Sequence, residues 1–213
     1  TMTAPFDAAI FDLDGTLIDT ESVSFAAGRA AFESLGVAVE DDFLLSLVGL
    51  DLPATDRRIE AHHRAIDLAL LNARWREGFD RDIRRGLRLK PGAADLLDRL
   101  ALPRAIATSS HRAAADLKLG LTGLDRRFDH VIVYEDVARA KPAPDPYLLA
   151  AARLGADPAR CIAFEDSETG AEAAWRAGMR VVQVPDMVPT GGRFAHHVAT
   201  GLIEGARMAG LIA

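Results

Sequence analysis

Two carboxylates, Asp12 and Asp14, stand two residues apart in Asp12-Leu13-Asp14-Gly15, directly after the apolar run Ala8-Ala9-Ile10-Phe11. An apolar run halted by a glycine turn reads as a buried strand that ends at the first carboxylate. Side chains two apart on a strand share a side. Asp12 and Asp14 are therefore expected to converge just outside the strand's C-terminal end, where open α/β sheets bind ligands. Carboxylates that close repel unless a proton or a cation lies between them. Three more polar groups follow apolar runs: Thr108-Ser109-Ser110, Lys141 in a proline-rich loop, and Glu165-Asp166-Ser167. Taken singly, the first and third are helix-capping sequences, and Lys141 is a solvated lysine. Taken together they set an acidic cluster, a hydroxyl and a cation on one edge, the groups that phosphoryl transfer needs.

The elements that must position these groups alternate after about residue 90. Apolar runs at 103–108, 131–133, 161–164 and 181–184 are separated by helical patterns at 93–100, 111–119, 147–154 and 168–177. Short apolar strands alternating with such helices form βαβ units and a parallel sheet. Right-handed crossovers then bring the strand ends to one edge. Residues 20–89 carry helical patterns only, at 22–35, 41–48 and a long Arg-rich run at 54–85. The expected fold is α/β: a Rossmann-like parallel sheet flanked by helices, with an all-helical cap inserted after the first strand. The core is assigned to 1–19 and 90–213 and the cap to 20–89, placed to act as a lid. A closing helix is expected at 202–211.

A chain of 213 residues can bury a sizeable core. Its net charge of −6 argues against non-specific nucleic-acid binding. The one cysteine, Cys161, sits in an apolar run and reads as a core residue. The N-terminus reaches Asp7 without a signal h-region, and no apolar run approaches the roughly twenty residues of a membrane span. A cytoplasmic monomer is expected, without membrane or nucleic-acid partners. His62-His63 and His196-His197 read as surface histidines rather than metal ligands. Trp75 and Trp175 read as core residues, and the arginines at 74–88 as an ion-paired exposed helix.

The motifs Phe11-Asp12-Leu13-Asp14-Gly15-Thr16-Leu17-Ile18-Asp19-Thr20-Glu21, Thr108-Ser109, Lys141-Pro142-Ala143-Pro144-Asp145-Pro146-Tyr147 and Phe164-Glu165-Asp166-Ser167 occur in that order. In this the chain resembles the haloacid dehalogenase superfamily, specifically its phosphatase and beta-phosphoglucomutase-like members with a small helical cap. The resemblance implies a Mg²⁺-dependent phosphatase acting on a small phosphorylated metabolite through an aspartyl-phosphate. It makes Asp12 the nucleophile and Asp14 the general acid and base. It gives Thr108, Ser109 and Lys141 to the phosphoryl group, Lys141 also neutralising charge on Asp12. It assigns Mg²⁺ to Asp12, Asp166 and the backbone carbonyl of Asp14, with Glu165 ligating directly or through water.

Elementary electrostatics agrees. Two like charges 4 Å apart repel by about 4 kcal/mol at an effective dielectric of about 20. Four carboxylates and a dianionic substrate therefore need Mg²⁺ and Lys141 between them. Mg²⁺, a hard cation preferring oxygen ligands, suits such a cluster.

Other branches of the superfamily fit less well. Dehalogenase-type members do not carry the second aspartate, which is present here as Asp14. Phosphonatase-type members use a cap lysine, and residues 20–89 contain none. Sugar-phosphate mutases typically carry a histidine and a lysine where this chain has Ser24 and Val48, the latter beside Gly49. Hydrolysis is therefore expected over mutase chemistry. A non-catalytic binding protein retaining the fold is disfavoured by the intact quartet.

Overall fold

The computed structural model describes residues 5–48, 50 and 52–213; Gly49 lies outside them. Thr20–Leu87 forms one compact unit, and the chain up to Asp19 together with Arg88–Ala213 forms another.

The second of these units is a parallel sheet wrapped by helices. Its strands are β1 (Ala8–Phe11), β2 (Arg104–Ala107), β3 (His130–Ile132), β4 (Cys161–Glu165), β5 (Arg180–Gln183) and β6 (His197–Val198), in the spatial order β3-β2-β1-β4-β5-β6. All neighbouring pairs are parallel. Central strands covered on both faces must be apolar throughout, and every residue of β1 and β4 is buried. Phe11 pairs in register with Phe164 and with Ile106, and the Phe11 and Phe164 rings stack at 4.9 Å. Alanines on the strands leave room for alanine-rich helices. Ala8, Ala105, Ala107 and Ala163 share one core cluster with Ala150 and Ala151 of α7 (Asp145–Leu154) and Ala171, Ala173 and Ala174 of α8 (Glu168–Arg176). Fully buried Cys161 joins that cluster, and burial pushes its thiol up to about 11, as expected of a core residue.

From β1 the chain builds outward through β2 to β3, then crosses back to β4 on the other side of β1. The ends of β1 and β4 thus flank the point where strand order reverses, the crevice where such sheets bind ligands. α5 (Ala93–Arg99), α6 (Arg112–Thr122) and α9 (Leu202–Met208) complete this unit.

The other unit holds α1 (Thr20–Ser34), α2 (Asp41–Leu45), α3 (Leu52–His62) and α4 (Leu68–Gly86), and no strand among its described residues. It has its own core, with Ala31, Phe32, Leu44, Leu47, Ile59 and Leu71 buried. The arginines of α4 pair locally, Arg74 with Glu77 and both Arg81 and Arg85 with Asp82.

Several local expectations change. The long run at 54–85 is two helices, because Asp67 caps a new start by accepting from the Leu70 N–H. The helical unit ends at Leu87 rather than 89. Ile18 bridges Leu89, and the Lys90 N–H donates to the Leu17 carbonyl at 2.8 Å, tying 88–90 to the sheet unit. The last helix stops at Met208 instead of 211, and the two-residue β6 has too little pattern to show in the sequence. His63 is half-buried against Phe32 and Phe43 instead of facing solvent. Trp175 is 51 % exposed and packs on Phe194, so it is not a core residue.

Candidate active site

Asp12 follows β1 and is buried, because β1 emerges between β2 and β4 and its end is flanked by theirs. The turn beyond it depends on Gly15, whose φ of 81° is one that a side chain disfavours; its N–H donates to the Ile18 carbonyl at 2.9 Å. Lys141 reaches in from the loop before α7 and places Nζ 2.6 Å from Asp12 Oδ1 and 2.6 Å from Glu165 Oε1. Its side chain is 5 % exposed. Tyr147 on α7 donates to the same Glu165 oxygen at 2.5 Å, and Ser167 donates to Glu165 Oε2 at 3.3 Å. Asp166 sits beside them, accepting from Thr16 Oγ1 at 3.2 Å, while Gln183 Nε2 donates to its carbonyl at 3.3 Å.

Burial, reinforced by the Glu165 charge, pushes the Asp12 carboxyl up to about 8 against the opposing pull of Lys141. Burial also works against the Lys141 charge, but Asp12 and Glu165 outweigh it and hold that ammonium above the ordinary lysine range. Burial and the Glu165 carboxylate keep the Tyr147 phenol protonated, as a donor must be. Asp12, Glu165 and Asp166 each offer an oxygen, all within 4.8 Å of one another. One lysine among three such carboxylates leaves negative charge in excess. Mg²⁺ is a hard cation that takes carboxylate oxygens of this kind. The donor set, hard and crowded, fits such a cation.

The residues expected to act therefore fall into two groups. Asp12, Lys141, Glu165 and Asp166 lie together at the ends of β1 and β4. Thr108, at the end of β2, is buried, and its Oγ1 accepts from the Ser110 N–H at 3.1 Å. Ser109 is exposed. The Asp14 carboxylate is not among the three clustered groups: it accepts from Lys118 Nζ at 2.6 and 2.8 Å and from Ser110 Oγ at 2.7 Å. The strand alternation expected to align it with Asp12 does not apply, because β1 ends at Phe11 and both aspartates lie beyond it.

Lys118, Ser110 in that role and Gly170 escape a motif reading, and Tyr147, the last residue of the third motif, carries no assigned role there. One sequence signal does point to Lys118. Of 25 cationic residues only three are lysines, at 90, 118 and 141. Each is ion-paired in the sheet unit, to Asp186, Asp14 and Asp12 with Glu165 respectively.

Gly170, in the first turns of α8, is where Glu165 has its room: a Cβ there would lie 1.9 Å from Glu165 Oε1 and 2.0 Å from its Cδ. Gly170→Ala is expected to drive the Glu165 carboxylate off Lys141 and Tyr147. Breaking a buried pair destabilises by about 3–5 kcal/mol. Denaturant unfolding of the variant should show a loss of that order together with reduced turnover. Wild-type stability would mean that Glu165 has a second buried position.

The chain matches the haloacid dehalogenase-like hydrolase family over residues 9–184. It is 33 % identical over 181 residues to the fructose-1-phosphate phosphatase YqaB of Escherichia coli K12, covering 82 % of this chain and 94 % of that protein. It is 33 % identical over 177 residues to a phosphorylated carbohydrates phosphatase of Thermotoga maritima, covering 81 % and 82 %. The structure of a haloacid dehalogenase family hydrolase from Deinococcus radiodurans R1, with bound phosphate and sodium, superposes with a TM-score of 0.84 at 29 % identity over 99 % of both chains. With the acidic crevice of the sheet unit and relatives that are phosphoric monoester hydrolases, the chain belongs to the haloacid dehalogenase-like hydrolase family.

Proposed function

We propose that this protein hydrolyses the phosphate monoester of a small phosphorylated sugar through an aspartyl-phosphate on Asp12, with Mg²⁺ held by Asp12, Asp166 and the Asp14 backbone carbonyl. The observation that carries the reading is Lys141 Nζ, 2.6 Å from both Asp12 and Glu165 at the strand-order reversal. It holds a buried carboxylate beside a cluster that fits a cation.

Asp12 attacks phosphorus, so that a bond from its oxygen to phosphorus forms while the bond to the sugar oxygen breaks. Asp14 gives its proton to that departing oxygen. Water then attacks phosphorus, losing its proton to Asp14, and the bond to Asp12 breaks to release inorganic phosphate. Lys141 offsets negative charge on Asp12 and on the phosphoryl oxygens throughout. The Thr108 hydroxyl, already an acceptor for the Ser110 N–H, directs its own proton to a phosphoryl oxygen, with Ser109 assisting. Glu165 orients Lys141. Bound Mg²⁺ would supply positive charge to the same oxygens. Electrostatic stabilisation of this kind is commonly the largest contribution to such catalysis.

The relatives named for fructose 1-phosphate and for phosphorylated carbohydrates support a sugar phosphate as the substrate class. We place selection among sugars in the helical unit. There Ser24, Phe25, Asn72, Trp75, Arg76 and Phe79 line part of a cavity of about 400 Å³. Hydrolysis is preferred to mutase chemistry because Ser24 stands where mutases typically carry a histidine. Its carbonyl and hydroxyl accept from Trp75 Nε1 at 2.9 and 3.3 Å, a packing role.

The test is release of inorganic phosphate, with Mg²⁺ present, from fructose 1-phosphate, glucose 6-phosphate, β-glucose 1-phosphate and 2-phosphoglycolate. Phosphate release that is fastest from a sugar phosphate is expected. Conversion of β-glucose 1-phosphate to glucose 6-phosphate without phosphate release would identify a mutase instead.

A further inference from the structure

Lys118 stands apart from the residues that the motifs single out. It lies on α6, whose buried residues are Ala115, Lys118 and Leu119, spaced three and four apart. That spacing marks the face of a helix turned to the core, and a lysine there is out of place. A buried ammonium is tolerated when it is paired and hydrogen-bonded, and here both conditions hold. Nζ lies 2.6 and 2.8 Å from the two Asp14 oxygens and 2.8 Å from Ser110 Oγ. Ser110 Oγ in turn donates to Asp14 Oδ2 at 2.7 Å.

Ser110 is itself held in place. Its N–H donates to Thr108 Oγ1 at 3.1 Å, and its carbonyl accepts from the Tyr134 N–H at 3.0 Å. Three bonds from two side chains thus set the plane of the Asp14 carboxylate. One of those side chains belongs to the turn that also carries Thr108. Asp14 is the more exposed of the two aspartates, its side chain 30 % exposed against 10 % for Asp12. It lies beyond the end of β1, where its backbone bridges Ile18 across the turn. A general acid or base works only within hydrogen-bond reach of the atom it serves. A misplacement of about 1 Å can lower a rate about 100-fold.

We propose that Lys118 is a positioning residue that, together with Ser110, holds the Asp14 carboxylate in its working orientation for proton transfer. This rests on the reading of Asp14 as the acid and base of an aspartyl-phosphate mechanism. In that arrangement each working aspartate has its own buried lysine, Lys141 for Asp12 and Lys118 for Asp14. The lysine of α6 then governs the proton-transfer steps and leaves the nucleophile untouched.

The test compares two substrates on the full chain with Mg²⁺ present. Fructose 1-phosphate has a leaving oxygen that needs a proton. The leaving group of 2,4-dinitrophenyl phosphate departs without one, although the following attack of water still needs Asp14. In Lys118→Met, kcat for fructose 1-phosphate is expected to fall about 100-fold with KM within about threefold. With 2,4-dinitrophenyl phosphate, the first-turnover burst should keep a rate within about threefold of wild type. Steady-state turnover should fall, so that one equivalent of phenolate is released ahead of a slow phase. In an Asp14→Asn background, Lys118→Met should change kcat by less than about twofold, because the residue it acts through is gone.

Equal losses in burst and steady state, equal losses in both backgrounds, or a wild-type kcat would each overturn the proposal. Should Lys118→Met fail to fold, Ser110→Ala removes one of the three bonds to Asp14. It is expected to lower kcat for fructose 1-phosphate about tenfold while the 2,4-dinitrophenyl phosphate burst stays within about threefold of wild type, and a burst slowed as much as fructose 1-phosphate turnover overturns the proposal. Failure of the underlying reading looks different: wild-type protein that releases phosphate from neither substrate, or an Asp12→Asn variant that keeps the burst.

Discussion

Asp12→Asn is expected to lower kcat by at least about 10³-fold, equivalent to about 4 kcal/mol in activation free energy, while leaving the fold intact. The amide is nearly isosteric with the carboxylate but cannot act as the attacking oxygen. Lys141 keeps one carboxylate partner, Glu165, at 2.6 Å, so its ammonium is not orphaned by the change. Burial already opposes the charge on Asp12, so its removal should not lower the melting temperature by more than a few degrees. The measurement pairs steady-state phosphate release with thermal unfolding. It adds mass analysis of acid-quenched protein, in which wild type traps a phosphorylated aspartate and the variant does not. A variant retaining more than about a tenth of wild-type kcat, a loss under about 1.4 kcal/mol, would remove Asp12 as nucleophile.

Exhaustive chelation is expected to abolish turnover, and added Mg²⁺ to restore it. The reason is the charge imbalance at the crevice: Asp12, Glu165 and Asp166 offer oxygens within 4.8 Å of one another, and Lys141 is the cation bonded to two of them. A ligand that binds only the folded state at 100 times its Kd stabilises by about 2.7 kcal/mol. For a chain of this size that raises Tm by roughly 5–11 °C. Thermal unfolding with and without Mg²⁺ reads this without any activity assay, and Asp166→Asn should lose most of the shift. Full activity after chelation, or a Tm indifferent to divalent cations, would refute a metal at this cluster.

Much of this protein was legible in the sequence because the informative signals are local. Ala8-Ala9-Ile10-Phe11 and Cys161-Ile162-Ala163-Phe164 are short, uniformly apolar runs ended by polar residues, the pattern of strands covered on both faces in a parallel sheet. Glycines and polar residues at their ends mark the crevice edge. The purely helical patterning from residue 20 onward marks a second unit, which ends at Leu87, two residues before the patterning does, because Leu89 pairs with Ile18 through a bridge that no periodicity announces.

Tertiary structure alone decided which polar groups meet. Asp14 and Lys118 are 104 residues apart in the chain. They come together because α6 turns its Ala115–Lys118–Leu119 face to the core, beside the turn that follows β1. The Asp14 carboxylate consequently answers to α6 and the Thr108 turn, while Asp12 answers to Lys141 and β4. Neither the role of Tyr147, although it closes the third motif, nor that of Gly170 was legible. One is recognisable only from the oxygen it donates to, and the other only from the carboxylate that occupies the space a Cβ would need. Periodicity reports which face of an element is buried, whereas the partner of a buried charge depends on how distant elements pack, and that information is absent from any local window of sequence.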